Sequence, residues 1–354
     1  MKGLILAGGR GTRLRPLTHT RAKQLVPIAN KANIDYVVED IVRAGVTDIG
    51  VIISPETGAE VSAHLGDGSR FGCQFSFILQ DQPAGIAHAV KIARAFLGDE
   101  PFVLYLGDNL LDGGINHMLE VFNAGGIEAC ILLTKVSNPS SFGVALKDDA
   151  GRITQLVEKP KEFISDLALV GVYLFSPIIH EIIATLQPSA RGELEITEAI
   201  QGLLERGVTV HAEEVRGYWK DTGNAKDLLD ANRLVLSRLR YDVQGTVEDC
   251  EIVGEVQIAR GATVRRSRIR GPVSIAARAI IEDSYIGPYT SIGDGAIIKR
   301  AELEYSILMQ GSRLEEIEKR LDSSILGEGV QVVSEAHKRN TVQFFLGDRS
   351  SVKL

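Results

Sequence analysis

Beyond Tyr241, apolar residues recur at six-residue steps: Ile252, Ile258 and Val264 form one series, and Ile280, Ile286, Ile292 and Ile298 another. Gly287 and Gly293 follow directly after two of them. This period is neither the 3.6 of a helix nor the 2 of a strand. It is the repeat of a parallel β-helix, whose coils stack their aliphatic side chains on those of the next coil. The last third of the chain is thereby confined to one architecture. The charged run Arg313–Leu321 predicts a helix that interrupts the coils before Ile325, and the final residues read as an irregular tail.

The first two-thirds follow another pattern. Ile34, Val37, Val38, Ile41 and Val42 recur at helical spacing and stop at Gly45, a residue suited to ending a helix. Strands are expected over 49–53, 75–79, 102–106 and 129–134, with helices over 60–65, 86–96 and 115–122. Such alternation with short connections predicts right-handed crossovers onto a mainly parallel, Rossmann-like α/β sheet. Ligands of such sheets bind beyond the carboxyl ends of the strands, which places Gly8–Arg13, Gln80–Gly85 and Gly107–Asn109 on one rim. Phe142–Val144, Val157–Pro160 and Leu169–Tyr173 read as short strands outside this pattern. Glu158 and Lys159, as strand neighbours, are expected on opposite faces. The division expected is 1–240 for the α/β part and 241–354 for the β-helix with its tail.

Within the α/β part, Leu4–Ala7 is a continuous apolar run, as in a parallel strand covered on both faces. Gly8, Gly9 and Gly11 follow, and without a Cβ their N–H groups can approach a phosphate closely. Arg10, Arg13, Arg15, Arg21 and Lys23 then put five cations into fourteen residues of a chain with net charge −7. A dinucleotide fingerprint fails by register, since Leu14 stands where its third glycine belongs. A P-loop fails because Arg13-Leu14-Arg15 replaces Gly-Lys-Ser/Thr. Pro16 stops a helix from starting at once, so the loop stays long. Asp108, at the end of a buried strand, and Asp221, in Trp219-Lys220-Asp221-Thr222-Gly223, are two carboxylates on separate strand ends. Together they could hold Mg²⁺ with phosphate oxygens, although Asp221 could instead cap a helix starting near Asn224.

Gly8-Gly9-x-Gly11-Thr12-Arg13-Leu14-x-Pro16-x-Thr18, followed by Lys23-x-x-x-Pro27, resembles the signature of the sugar-1-phosphate nucleotidylyltransferases, and within them the glucose-1-phosphate thymidylyltransferases. One departure is Lys31-Ala32, where that family has Lys-Pro in a turn. The resemblance implies transfer of a nucleotidyl group from dTTP to glucose 1-phosphate, with UTP as the alternative nucleotide and a catalytically silent regulatory subunit as the rival. It implies that Leu6, Gly8, Gly9, Gly11, Thr12 and Arg13 bind the nucleotide and that Gln80 and Gly85 sit against the base. Asn109, Gly143, Glu158, Lys159, Leu169 and Val170 would line the sugar phosphate site, Asp108 and Asp221 would hold Mg²⁺, and Arg13, Lys23 and Lys159 would carry catalysis. The run Arg191–Thr197 also matches and reads as a helix start with structural weight. Long members of this family carry a C-terminal left-handed β-helix.

Composition excludes other classes. An acidic balance argues against wholesale nucleic-acid binding, which needs a basic face. No apolar run is long enough to span a membrane, so the chain is expected to be cytoplasmic. Cys73, Cys130 and Cys250 are isolated and odd in number, which predicts small core residues and neither a disulfide framework nor a zinc site. Acyl transfer by β-helix proteins generally needs a histidine base, and His19, His64, His88, His117, His180, His211 and His337 all lie outside the coils. The β-helix is therefore expected to serve homo-oligomer assembly and regulation.

Overall fold

The computed structural model describes residues 1–334 and 350–352, so the predicted tail lies largely outside the described residues. Contacts divide the chain into two compact units that interleave along the sequence: Met1–Arg10, Arg21–Leu25 and Asn33–Asp221 form one, and Gly11–Thr20, Val26–Ala32 and Thr222–Leu354 the other. Along the chain the elements before the coils are β1 (Lys2–Leu6), β2 (Pro27–Ile28), β3 (Lys31–Ala32), α1 (Asn33–Arg43), β4 (Asp48–Ile53), α2 (Gly58–Leu65), β5 (Gln74–Leu79), α3 (Ile86–Ile92), α4 (Arg94–Leu97), β6 (Phe102–Leu106) and β7 (Asn109–Leu111). There follow α5 (Asn116–Asn123), β8 (Ala129–Lys135), β9 (Gly143–Lys147), β10 (Ile153–Glu158), β11 (Leu167–Phe175), α6 (Ile179–Thr185), α7 (Ile196–Glu205), β12 (Val210–Glu214), β13 (Trp219–Asp221) and α8 (Ala225–Leu236).

In the first unit β1 lies between β4 and β6 and parallel to both, so Leu4 and Ile5 are fully buried. The sheet runs β10-β9-β11-β6-β1-β4-β5, with β8 on β11 and β12 on β8. It is mixed: β6-β1-β4-β5 is parallel, whereas β11 is antiparallel to β6, β8 and β9. The section expected outside the βαβ pattern is thus inside the sheet. β11 has no apolar–polar alternation because eight of its nine residues are buried. On α1 the stripe Ile34, Val37, Val38 and Ile41 is fully buried, and Gly45, at φ +83°, ends the helix with its N–H on the Val42 carbonyl at 2.9 Å. The helix predicted over 86–96 is broken at Ala93 into α3 and α4. Cys73 and Cys130 are buried, but Cys250 is half-buried, so the core assignment fails for it; all three are free thiols.

In the second unit, β2 and β3 pair across Ala29 and Asn30, both at positive φ, so the turn forms with alanine in place of the family's proline. The N-cap of α8 is Asn224, whose side chain accepts the Asp227 N–H at 3.0 Å, and Asp221 is not needed there.

The strands from 242 to 333 are all parallel to their neighbours and build a left-handed β-helix. Val264, Ile281 and Ile298 are successive partners and fully buried, as are Ile258, Ile275 and Ile292 with at most 1 % exposure. These partners stand seventeen residues apart, so the apolar steps within a coil there run six, six and five. The strict six-residue series therefore slips once per coil: Ile281 takes the inside position, and Ile280 is only half-buried. The helix predicted at Arg313–Leu321 is instead the strand Arg313–Asp322. Its backbone pairs with the coils on either side, and Leu314 is fully buried on Ile298. Glu318, Lys319, Arg320 and Asp322 are exposed, and Arg320 pairs with Glu302 at 2.8 Å. Neighbouring coils here supply every strand partner, and that outweighs the helical preference of a charged run.

Candidate active site

β1, β5 and β6 all end on one rim of the first unit. There the Gly107 N–H donates to the Leu6 carbonyl at 2.9 Å and the Gln80 N–H to the Ile53 carbonyl at 2.9 Å. Gly8 and Gly9 leave this rim from β1. A Cβ on Gly8 would stand 3.7 Å from Gln80 Oε1, and one on Gly9 would enter the space of Lys23 Cε at 2.7 Å. Lys23 reaches Asp108, ion-paired through Nζ to Oδ2. A Cβ on Gly107 would press on the Leu6 carbonyl at 2.9 Å, so glycine is what lets the chain turn toward Asp108.

Gln24, not singled out in the sequence, is 1 % exposed and lies beside Gly9 and Gly107. Both its amide atoms are buried without a hydrogen-bond partner among the described residues. Such a group is costly unless something supplies partners, which sets Gln24 apart from an ordinary packed side chain. Nothing in the sequence separates it from an ordinary loop glutamine, because the signal is its burial.

β7 and β13 form a two-stranded ribbon in which Asp221 stands opposite Asn109. That register brings the strand ends carrying Asp108 and Asp221 side by side, although more than a hundred residues separate them in sequence. Asp108 is 6 % exposed and accepts from Asn109 Nδ2 at 3.3 Å. Asn109 Oδ1 accepts from Trp219 Nε1 at 2.5 Å, and Phe142 meets the indole edge-on with ring centroids 5.5 Å apart. A Cβ on Gly171 would lie 3.0 Å from Asn109 Oδ1, so β11 supports the same residue from beneath.

A second cluster forms around Glu158. Lys159 has φ +42°, which turns its side chain back instead of placing it on the opposite face as strand geometry predicts. Its Nζ lies 3.4 Å from Glu158 Oε1. Arg191 Nη1 bridges Glu158 and Glu195 at 3.2 Å each, and Thr197 Oγ1 donates to Glu158 Oε2 at 3.1 Å. The Arg191–Thr197 segment, read from sequence as a helix start, thus also lines this cluster. A Cβ on Gly143 would meet Thr197 Cγ2 at 2.4 Å and Glu158 Oε2 at 3.0 Å. Leu169 approaches from β11, and Leu169 and Val170 are buried. Burial, with Glu158 nearby, raises the Glu195 carboxyl above its ordinary range.

Gln80 and Gly85, expected from the motif against the base, meet on the same rim. Gln80 Nε2 donates to the Gly85 carbonyl at 3.2 Å and lies 3.0 Å from His88 Nδ1. Gly11, Thr12 and Arg13 belong to the second unit, where Thr12–Leu14 form a single 3-10 turn and Thr18 Oγ1 donates to the Gly11 carbonyl at 2.7 Å. Their candidacy rests on the sequence motif. Among the described residues no three His, Cys, Asp or Glu side chains gather to hold a metal, and no helix is long and apolar enough to cross a membrane.

The nucleotidyl transferase family matches residues 2–238. A glucose-1-phosphate thymidylyltransferase of Streptomyces antibioticus is 50% identical over 356 residues, covering 100% of this chain and 99% of its own length. The low-salt glycan biosynthesis nucleotidyltransferase of Haloferax volcanii is 45% identical over 337 residues, with 94% of each chain covered. A crystal structure from Bacillus anthracis, described as a glucose-1-phosphate thymidylyltransferase in complex with a sucrose, superposes with TM-score 0.64 at 38% identity. It covers 68% of this chain and 97% of its own. A UDP-glucose pyrophosphorylase complexed with UDP-glucose gives TM-score 0.60 at 26% identity, with 67% and 98% covered.

Proposed function

The chain belongs to the nucleotidyl transferase family, and on that premise we propose that it transfers a thymidylyl group from dTTP to glucose 1-phosphate, releasing pyrophosphate. What carries the reading is the meeting of Asp108, the strand end of Asp221, Lys23 and the glycine rim in one unit, with the Glu158–Lys159 cluster on the same sheet. A sugar 1-phosphate is largely dianionic at neutral pH, since its second pKa is about 6, so its oxygen needs no general base. Catalysis reduces to positioning and charge neutralisation.

In this reading Lys159 holds the sugar phosphate and Glu158 the sugar hydroxyls. Arg191 and Thr197 hold Glu158 in place, and Asn109, Gly143, Leu169 and Val170 shape the pocket. The phosphate oxygen attacks the α-phosphorus in line as pyrophosphate departs. Lys23 exchanges Asp108 for the triphosphate, Gln24 supplies amide contacts, and Arg13, assigned from its motif, offsets charge building up in the transition state. Mg²⁺ takes one or two protein carboxylates and completes its shell with phosphates and water, which is the donor set that Asp108 and Asp221 offer. When bound there it supplies charge neutralisation on the phosphate oxygens.

Residues 1–240 are assigned to catalysis and 241–354 to the β-helix with its short C-terminal tail. The β-helix is assigned to homo-oligomer assembly, because among the described residues its terminal coils leave strand edges with no next coil to pair with. The cytoplasm, where nucleoside triphosphates are found, is the proposed location. The test is pyrophosphate release with Mg²⁺ and glucose 1-phosphate, running dTTP, UTP, ATP, CTP and GTP in parallel. Preference for dTTP is expected. Preference for UTP would move the substrate, and silence with all five would overturn the enzyme reading.

A further inference from the structure

The Gln80 amide is held at two points, and those contacts dictate what it can offer a ligand. Its Nε2 lies 3.2 Å from the Gly85 carbonyl oxygen and 3.0 Å from His88 Nδ1. A carbonyl oxygen carries no hydrogen, so the amide atom against it has to be the NH₂. An amide nitrogen offers no lone pair, so His88 Nδ1 has to be the acceptor and the imidazole neutral, with its proton on Nε2. Both amide hydrogens are then occupied. The one group that Gln80 can still present is Oε1, and it lies on the side of Gly8, 3.7 Å from where a Cβ on that residue would stand.

The carbonyl from which this logic starts is itself immobilised. Gly85 has φ +102°, and a Cβ there would fall 2.3 Å from the Leu194 carbonyl oxygen. Leu194 N–H donates to the Ala84 carbonyl at 2.7 Å, and the Leu194 carbonyl accepts from Ala87 N–H at 3.1 Å. His88 sits in the first turn of α3, directly after this clamped loop, so both amide partners come from one junction. Burial, and next the charge of Lys91, lowers the imidazole pKa, in keeping with the neutral form.

We propose that His88 is the positioning residue for base selection. It holds Gln80 so that the rim accepts a nucleobase presenting an N–H donor, the imide of thymine or uracil, and refuses cytosine, which presents a ring lone pair at the same point. This inference rests on the nucleotidyl-transfer reading and on Gln80 facing the base. It adds a residue that touches no substrate and acts through the acceptor it leaves exposed.

The experiment compares the full-length protein with His88→Phe, which keeps a ring but no acceptor, and His88→Gln, whose carbonyl can accept. Each is assayed with dTTP, dCTP and N3-methyl-dTTP, with glucose 1-phosphate and Mg²⁺. In the unsubstituted protein dTTP should exceed N3-methyl-dTTP and dCTP by about 100-fold or more in kcat/KM, as for a site built around a hydrogen bond. His88→Phe should raise the KM for dTTP about tenfold and narrow both preferences by a similar factor. Its kcat and its KM for glucose 1-phosphate should hold, and His88→Gln should recover most of the loss. An unchanged dTTP KM and unchanged preferences in His88→Phe would overturn the proposal. So would parallel losses in kcat, both KM values and Tm that His88→Gln does not rescue, since those report a structural role. If the unsubstituted protein prefers a purine nucleotide, the base reading itself fails, and this is visible without any variant.

Discussion

Asp40 is 9 % exposed on α1, ion-paired with Arg43 at 2.9 Å and hydrogen-bonded by the Tyr105 hydroxyl at 3.3 Å. Burial outweighs both partners and raises its carboxyl from 3.8 to about 6. The unfolded chain releases this proton first as pH rises, so stability is lost between about pH 4 and 6 and no further above that. At about 1.4 kcal/mol per pH unit across that window, the loss approaches about 3 kcal/mol at most. Asp40→Asn should therefore gain Tm relative to the parent as pH goes from 4 to 7 in thermal melts, and a constant offset would contradict this. At the same scale, Lys159→Ala should lower kcat/KM for glucose 1-phosphate by about 100-fold, as for loss of one charge-stabilising donor, with the KM for dTTP nearly unchanged. The identity of Lys159 as a candidate was legible from its motif. Its direction was not, because a positive φ is set by surroundings rather than by lysine.

Among the elements, β9 and α7 meet at Gly143, where an added methyl group would press on Thr197 and Glu158. Gly143→Ala should fold and keep its nucleotide KM while raising the KM for glucose 1-phosphate at least severalfold in steady-state kinetics; equal effects on both substrates would argue against a local displacement. The coils offer a sharper comparison. Ile281 is fully buried and Ile280 is not, so Ile281→Ala should cost about 2–4 kcal/mol in denaturant melts and Ile280→Ala under about 1 kcal/mol. A periodicity count finds the coil because stacking demands an aliphatic residue on each face. It misplaces Ile280 because a five-residue corner changes phase without any residue type to announce it. The strand at Arg313–Asp322 went unseen for a related reason: its partners are other coils, and a local pattern carries no record of them.

For the whole molecule, nucleotide and metal should bind as one event. dTTP with Mg²⁺ at about 100 times its dissociation constant should stabilise the folded chain by about 2.7 kcal/mol in a thermal shift assay, and EDTA should remove most of that gain. An equal shift in EDTA would remove Asp108 and Asp221 from nucleotide binding.

By itself the sequence determined the two architectures, the first strand and its glycine–cation loop, and the residue types that phosphate chemistry requires. These depend on periods and spacings that act over a few residues, where steric and solvation preferences are local. Tertiary structure alone decided that β11 enters the sheet, that β7 and β13 pair so as to set Asp221 beside Asp108, that Gln24 is buried, and that His88 and Gly85 hold one amide between them. Those are facts of register and burial between distant segments. They are set by which surfaces the folded chain removes from water.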